Sequence, residues 1–189
     1  MILIALAALC LLSVPLTGGR LGRLADVRVR GAWIPVLALA LQVLIITIVP
    51  GGSQSLHRWL HIATYALIGL FLWANRRLPG VPVIATGALL NAVAIIANGG
   101  VMPASETAER IAGLHMGAGF HNSAPLAHPA LLWLGDIIPW PGPLSNVLSA
   151  GDVLIYVGTL VLVHRLCRTP KPAGDGRGRL RARVPARGA

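Results

Sequence analysis

The stretch LGDIIPWPGPLSNVLSAGD, residues 134 to 152, holds Asp136 and Asp152 in a chain with only six acidic residues. Two carboxylates can hold a cation, an amine or a lipid headgroup. They can also act as acid and base if their surroundings push their pKa values apart. The alternative is capping: a carboxylate can accept backbone N–H bonds, and SAGD at 149–152 suits a first helical turn with Ser149 as the cap. Asn98 opens NGGVMP. There Gly99 and Gly100 permit a left-handed helix end, and Pro103 blocks its continuation. The Asn98 amide either caps that helix or turns into a pocket beside the aspartates.

Histidine is the other reactive type. Five of the six histidines, His57, His61, His115, His121 and His128, fall in segments read below as one side of a membrane. His57 and His61 are four apart and share a helix face. HRWLH lacks the glutamate of a zinc protease, and no cysteine or carboxylate cluster completes a metal site, so no metal is expected. A haem, pigment or quinone held by the outer histidines is a third functional reading. GGRLG at 18–22 lacks the ending of a phosphate-binding loop, and no Gly-x-Ser-x-Gly elbow exists. No catalytic residue is assigned, an enzyme is not the first expectation, and the residues specify no cofactor.

The elements that must position these groups follow from composition. Hydrophobic residues make up 55% of the chain and charged residues 12%, with a mean hydropathy of +0.72. About 25% charged residues is usual for soluble domains, so the main solvent is lipid. A membrane helix needs about 20 apolar residues, with about 17 near the lower end. Five segments qualify once flanks are included: Ile2 to Leu16, Trp33 to Val49, Leu60 to Ala74, Val81 to Ala97 and Val147 to Leu166. The first has no basic residue ahead of its apolar run and is read as a retained helix, not a cleaved signal. Cys10 and Cys167 match no redox or zinc spacing and are expected to be unpaired. Gln42 and Asn91 lie mid-span, where amides hydrogen-bond between helices or contact a ligand. No lysine, arginine or glutamate lies in the middle of a span, Arg165 standing at the inner end of the fifth, which argues against a proton-coupled transporter.

Charge orients the bundle. Fourteen of the sixteen basic residues fall in the first connection, the third connection and the tail; Arg58 and Arg110 are the exceptions. The positive-inside rule then puts the N-terminus outside and the C-terminus inside. The expected fold is an all-α membrane protein of about five spans, in the bacterial cytoplasmic membrane. Its domain covers residues 1–168, and residues 169–189 form a disordered basic cytoplasmic tail that meets anionic lipid. No nucleic-acid partner is expected, because the basic residues flank apolar runs instead of forming a face.

The connection from Asn98 to Asn146 is the long one, and long loops are often functional. Ser105 should cap a short amphipathic helix with Glu106 and Glu109 in its first turns. Trp133, Trp140 and Pro139, Pro141 and Pro143 suggest a re-entrant or surface-lying segment. Together these form an extracytoplasmic cap.

At NGGVMP, LGDIIPWP and SAGD the chain resembles a family of small polytopic bacterial membrane proteins of unknown function. The resemblance implies a multi-pass helical architecture and no reaction. It points to Asn98, Gly99, Gly100, Met102, Pro103, Asp136, Pro139, Gly151 and Asp152. The first functional expectation is an accessory or assembly subunit of a larger membrane complex, with Trp33, Phe71, Trp73 and the glycine-rich faces against other membrane subunits. The alternative is a self-contained binding protein or enzyme with an outer pocket around Asn98, Asp136 and Asp152, and His57 or His61 nearby.

Overall fold

The computed structural model describes residues 2–44, 53–114 and 123–168. His115, His121, the end of the second apolar segment and the basic tail lie outside the described residues, as does the expected disorder of that tail. Each of the five apolar segments contains an α-helix: α1 (Ile2–Leu16), α2 (Trp33–Val43), α3 (Gln54–Ala74), α4 (Val81–Ala97) and α6 (Ala150–Arg168). The protein is mostly helical. Among the described residues one helix, α6, is long and apolar enough to cross a membrane. At about 1.5 Å per residue it reaches close to the roughly 30 Å of a hydrocarbon core.

The helix ends follow local chemistry. Gly80 stands in the left-handed region at φ 85° and Pro82 sits in the first turn of α4, the usual order for a sharp helix start. Helix α3 begins at Gln54, six residues before the apolar run. Its first turns are therefore polar and carry His57 and His61. Helix α6 begins at Ala150, because residues expected to open it, from Val147 on, instead enter a strand and a cap.

Helices α4 and α6 form the most extensive packing in the bundle. They run antiparallel and meet through four glycines. A Cβ on Gly80 would lie 2.3 Å from the Gly158 carbonyl oxygen, and one on Gly87 would lie 2.4 Å from that of Gly151. Glycines seven residues apart on both helices thus let the two backbones touch. Helix α3 packs on α4 and α2, and α1 packs on the far end of α6. There the Ser13 and Thr17 hydroxyls meet the His164 ring, and buried Cys10 and Cys167 are both free thiols.

The long connection is compact. Strand β1 (Met102–Pro103) pairs in parallel with β2 (Ser123–Ala124). Helix α5 (Glu106–Ala112) follows β1, with the Ser105 hydroxyl accepting the Ala108 N–H at 3.3 Å. The proline-rich part is a two-stranded antiparallel hairpin, β3 (Ile138–Trp140) with β4 (Asn146–Leu148). Pro139 is tolerated because each strand of such a ribbon keeps a free edge. Ala108 and Ala112 of α5 pack on Val147, fastening helix and hairpin together.

Candidate functional site

The connection is fastened to the end of α4 by a backbone bond from Gly100 and lies close against α3 at the same residue. Gly99 and Gly100 have φ of 65° and 96°, and Gly100 N–H donates to the Ile95 carbonyl at 2.8 Å, ending α4. A Cβ at Gly100 would lie 2.7 Å from the Cβ of Arg58, so α3 approaches this turn too closely for any other residue. Met102 packs with Ala94, Ile95 and Leu134 in a small core over α4. Pro103 is fully buried, and its carbonyl accepts the Asp136 N–H at 2.9 Å. The Asp136 carbonyl in turn accepts the Ser105 N–H at 2.9 Å. Asp136 is thereby held by backbone on both sides. Pro139 sits opposite Val147 in the hairpin.

Six of these helix and loop groups converge on one cavity of about 240 Å³. Gln42, His61, Tyr65, Asn91, Asp136 and Asp152 line it, with Ser123, Asn146 and apolar residues completing the wall. No lysine or arginine is among its described lining residues. Gln42 donates to the Thr64 hydroxyl at 2.7 Å, joining α2 to α3. The His61 Nδ1 lies 2.8 Å from the Gly100 carbonyl oxygen. A carbonyl only accepts, so Nδ1 carries the hydrogen and a neutral ring presents Nε2 as an acceptor. Tyr65, one turn further along α3, meets the His61 ring edge to face.

The two carboxylates have different surroundings. Asp152 lies in a reciprocal cap at the start of α6. Its Oδ2 accepts the Ser149 N–H at 2.9 Å, while the Ser149 hydroxyl accepts the Asp152 N–H at 3.0 Å. Its Oδ1 accepts from the Asn91 amide at 2.8 Å, and the Asn91 carbonyl oxygen accepts from the Ser149 hydroxyl at 2.9 Å. Gly151 makes room for this: a Cβ there would lie 1.9 Å from the Asn91 oxygen. The Asp152 side chain thus caps α6 and also lines the cavity.

Asp136 is buried, and the Ser123 hydroxyl donates to its Oδ2. Burial pushes its pKa up to about 7, against the lowering effect of the Ser123 hydrogen bond, and the negative charges of Asp152 and Glu109 push the same way as burial. Its proton is therefore exchanged near neutral pH. The carboxyl is neutral at lower pH and carries a negative charge at higher pH.

Two of the five candidate binding residues, Asn98 and His57, stand outside this cavity. The Asn98 amide donates to the Ala94 carbonyl at 2.7 Å and to the Ala130 carbonyl at 2.8 Å, while its oxygen accepts the Ala130 N–H at 2.8 Å. It clamps the residue before Leu131, which has a left-handed φ of 54° despite its branched side chain. Asn98 therefore positions the turn that leads into Asp136 and does not turn into the pocket. His57 is buried on α3 a turn away from the lining residues. No group of three or more histidine, cysteine or carboxylate side chains that could hold a metal ion occurs among the described residues. Tyr65 and Ser123 were missed by sequence reasoning. Tyr65 carried a faint signal, being four residues beyond His61 on the same helix face. Ser123 carried none, because it reaches Asp136 through the parallel β1–β2 pairing.

Residues 26–164 match a family model described as "Family of unknown function (DUF5317)", and the chain belongs to that family. It is also similar to an "Uncharacterized protein" of Thermotoga maritima, with 31% identity over 100 residues. That match covers 52% of this chain and 58% of the relative, so the chain spans little more than half the length of that curated relative. No solved structure matches.

Proposed function

We propose that this member of a family of unknown function is a multi-pass protein of the bacterial cytoplasmic membrane that binds a small cationic group, such as an ammonium, in an outward-facing pocket. The convergence of Asp136 and Asp152 with Asn91, Gln42, His61 and Tyr65 on one cavity carries this reading. Two carboxylates line the space, and no lysine or arginine among the lining residues competes for them. At neutral pH and above, two carboxylates in a partly desolvated site hold a cation more strongly than either would in water. Asp136 is the variable partner, charged as pH rises past about 7.

The membrane part of the proposal uses five helices as spans, with the N-terminus outside, the C-terminus inside and the hairpin with α5 as an outer cap. Large apolar side chains exposed along these helices support it, among them Leu12, Trp33, Leu39, Leu70 and Leu89. So does the basic character of the connections opposite the cap. Reporter fusions after residues 28, 78, 114 and 168 test the topology. Activity of an outside-only reporter after residue 28 or 78 would overturn the orientation.

Titration of the purified protein with ethylammonium, with ethanol as the neutral control, tests the pocket. The expected result is saturable ammonium binding that strengthens between pH 6 and 8 and disappears in the Asp136→Asn, Asp152→Asn double variant. Equal ammonium binding by that variant at normal yield would remove the proposal.

A second reading is a subunit of a larger membrane complex, favoured by the exposed apolar faces of α1 and α2. The glycine seams of α4 and α6 do not support it, because they are filled within the chain. Copurification from native membranes in mild detergent tests it, through a stoichiometric partner or recovery alone.

A further inference from the structure

A second polar cavity lies at the opposite end of α3. Arg28, Arg30, Arg76 and Arg77 line a pocket of about 270 Å³, with Asn75 at its floor and no carboxylate among its lining residues. Asn75 builds this pocket. It is buried, its oxygen accepts the Arg30 N–H at 2.9 Å, and its amide donates to the Arg30 and Phe71 carbonyls, each at 2.8 Å. The arginines of the first connection are thereby tied to the end of α3, where Arg76 and Arg77 follow. Arg76 stacks over the Trp73 ring, 4.4 Å from its centre. Four cations lining one pocket with no carboxylate among its lining residues repel one another unless an anion joins them.

Arg76 and Trp73 also line a third cavity of about 460 Å³, an almost wholly apolar groove between α3 and α4. The groove is shaped by small side chains, Gly69, Ala85, Ala88 and Ala92, and ends at Tyr65. From Tyr65 to Ala74, the last residue of α3, the axis rises about 14 Å at roughly 1.5 Å per residue, and Arg76 follows in the turn beyond. Half of a hydrocarbon core is about 15 Å.

We propose that the arginine pocket and this groove together form a binding site for one anionic phospholipid of the cytoplasmic leaflet. The phosphate lies among the four guanidiniums and an acyl chain lies in the α3/α4 groove. This rests on the membrane reading above and is independent of the ammonium pocket. The arginine pocket alone is smaller than the roughly 300–1,000 Å³ of sites that enclose a whole ligand. It suits a headgroup whose remainder lies elsewhere, and the groove that shares Arg76 supplies that place. Guanidinium forks match phosphate oxygens in pairs. Anionic lipids are concentrated on the leaflet that the arginines are read to face. A positive-inside signal alone would not require these arginines to be drawn together, or to meet a groove one leaflet deep.

Thermal unfolding of the full-length protein in a neutral detergent, followed by tryptophan fluorescence, tests the site. Dioleoyl phosphatidylglycerol should raise the transition and saturate near one lipid per chain. Dioleoyl phosphatidylcholine and inorganic phosphate should shift it little. Arg30→Gln with Arg77→Gln should weaken the phosphatidylglycerol effect by roughly twenty-five-fold in half-saturating concentration, since each basic contact near an anionic surface contributes about a factor of five. Ala88→Phe, which fills the groove, should weaken it while leaving the small response to inorganic phosphate as it was. Equal shifts with the two lipids, or a full shift with phosphate alone, would overturn the proposal in the wild-type chain without any variant. Alkaline carbonate extraction of native membranes tests the underlying premise separately. Release of the protein would remove the membrane reading and this site together, while retention with equal lipid responses would remove the lipid site alone.

Discussion

Replacing Asp136 by asparagine should stabilise this protein in alkaline solution while weakening its pocket. The carboxyl is buried and its pKa in the fold is about 7, against an ordinary 3.8. The folded state therefore holds a proton that the unfolded chain has released. Between these two values stability falls as pH rises, by about 1.4 kcal/mol per pH unit for one group. From pH 5 to pH 8 the decline covers roughly two units before Asp136 ionises in the fold, which gives on the order of 3 kcal/mol. Asparagine carries no charge at either pH and keeps an oxygen for the Ser123 hydroxyl. The variant's advantage over the wild type should therefore grow by that amount between pH 5 and pH 8. For a chain of this size that corresponds to roughly 6–12 °C in the thermal midpoint. Tryptophan fluorescence melts of both proteins in one mild detergent, at several pH values, measure the difference directly. A pH-independent gap between the two curves would mean that Asp136 ionises at an ordinary carboxylate pH, and the account of its burial would fail.

The remaining expectations concern the supports of the site. Gly87→Ala should destabilise the bundle by about 1–3 kcal/mol, because the new methyl group meets the Gly151 carbonyl and neither backbone has room to yield. Gly69→Ala, in a helix with open space around it, should be neutral or stabilise by about 0.5–1 kcal/mol, and paired thermal melts compare the two. Asn98→Ala removes the clamp on Ala130 and should cost about 1–3 kcal/mol. Ammonium binding at a temperature well below the transition should survive, whereas a loss of binding in a folded Asn98→Ala protein would make Asn98 part of the pocket. Ser149→Ala breaks the cap of α6 and should lower stability by about 1 kcal/mol. It should also weaken ammonium binding, because Asp152 loses the neighbour that orients it, and titration of the folded variant checks this.

Apolar runs and their glycine and proline punctuation were enough to place most of the helices. The apolar runs 2–16 and 81–97 coincide with α1 and α4, because glycine and proline at their edges admit few other endings. Ser105 and Ser149 as caps were legible for the same reason, since a helix start is a local event. The long connection was legible too, and its proline-rich part was read as a re-entrant or surface-lying segment. That part forms a hairpin, because β3 and β4 pair across a turn that propensity describes weakly. The cavity could not be read this way. It brings together Gln42 from α2, Tyr65 from α3, Asn91 from α4 and Ser123 and Asp136 from the loop, and these are neighbours only after packing. Four glycines at seven-residue spacing were visible in the sequence, but which helix they would meet was set by the antiparallel register of α4 and α6. The roles of Asn98 and Asp136 depended most on tertiary structure. An amide or carboxyl acts according to which donors, acceptors and charges surround it and how much water is excluded. Those quantities are properties of the assembled fold and not of the residue or its sequence neighbours.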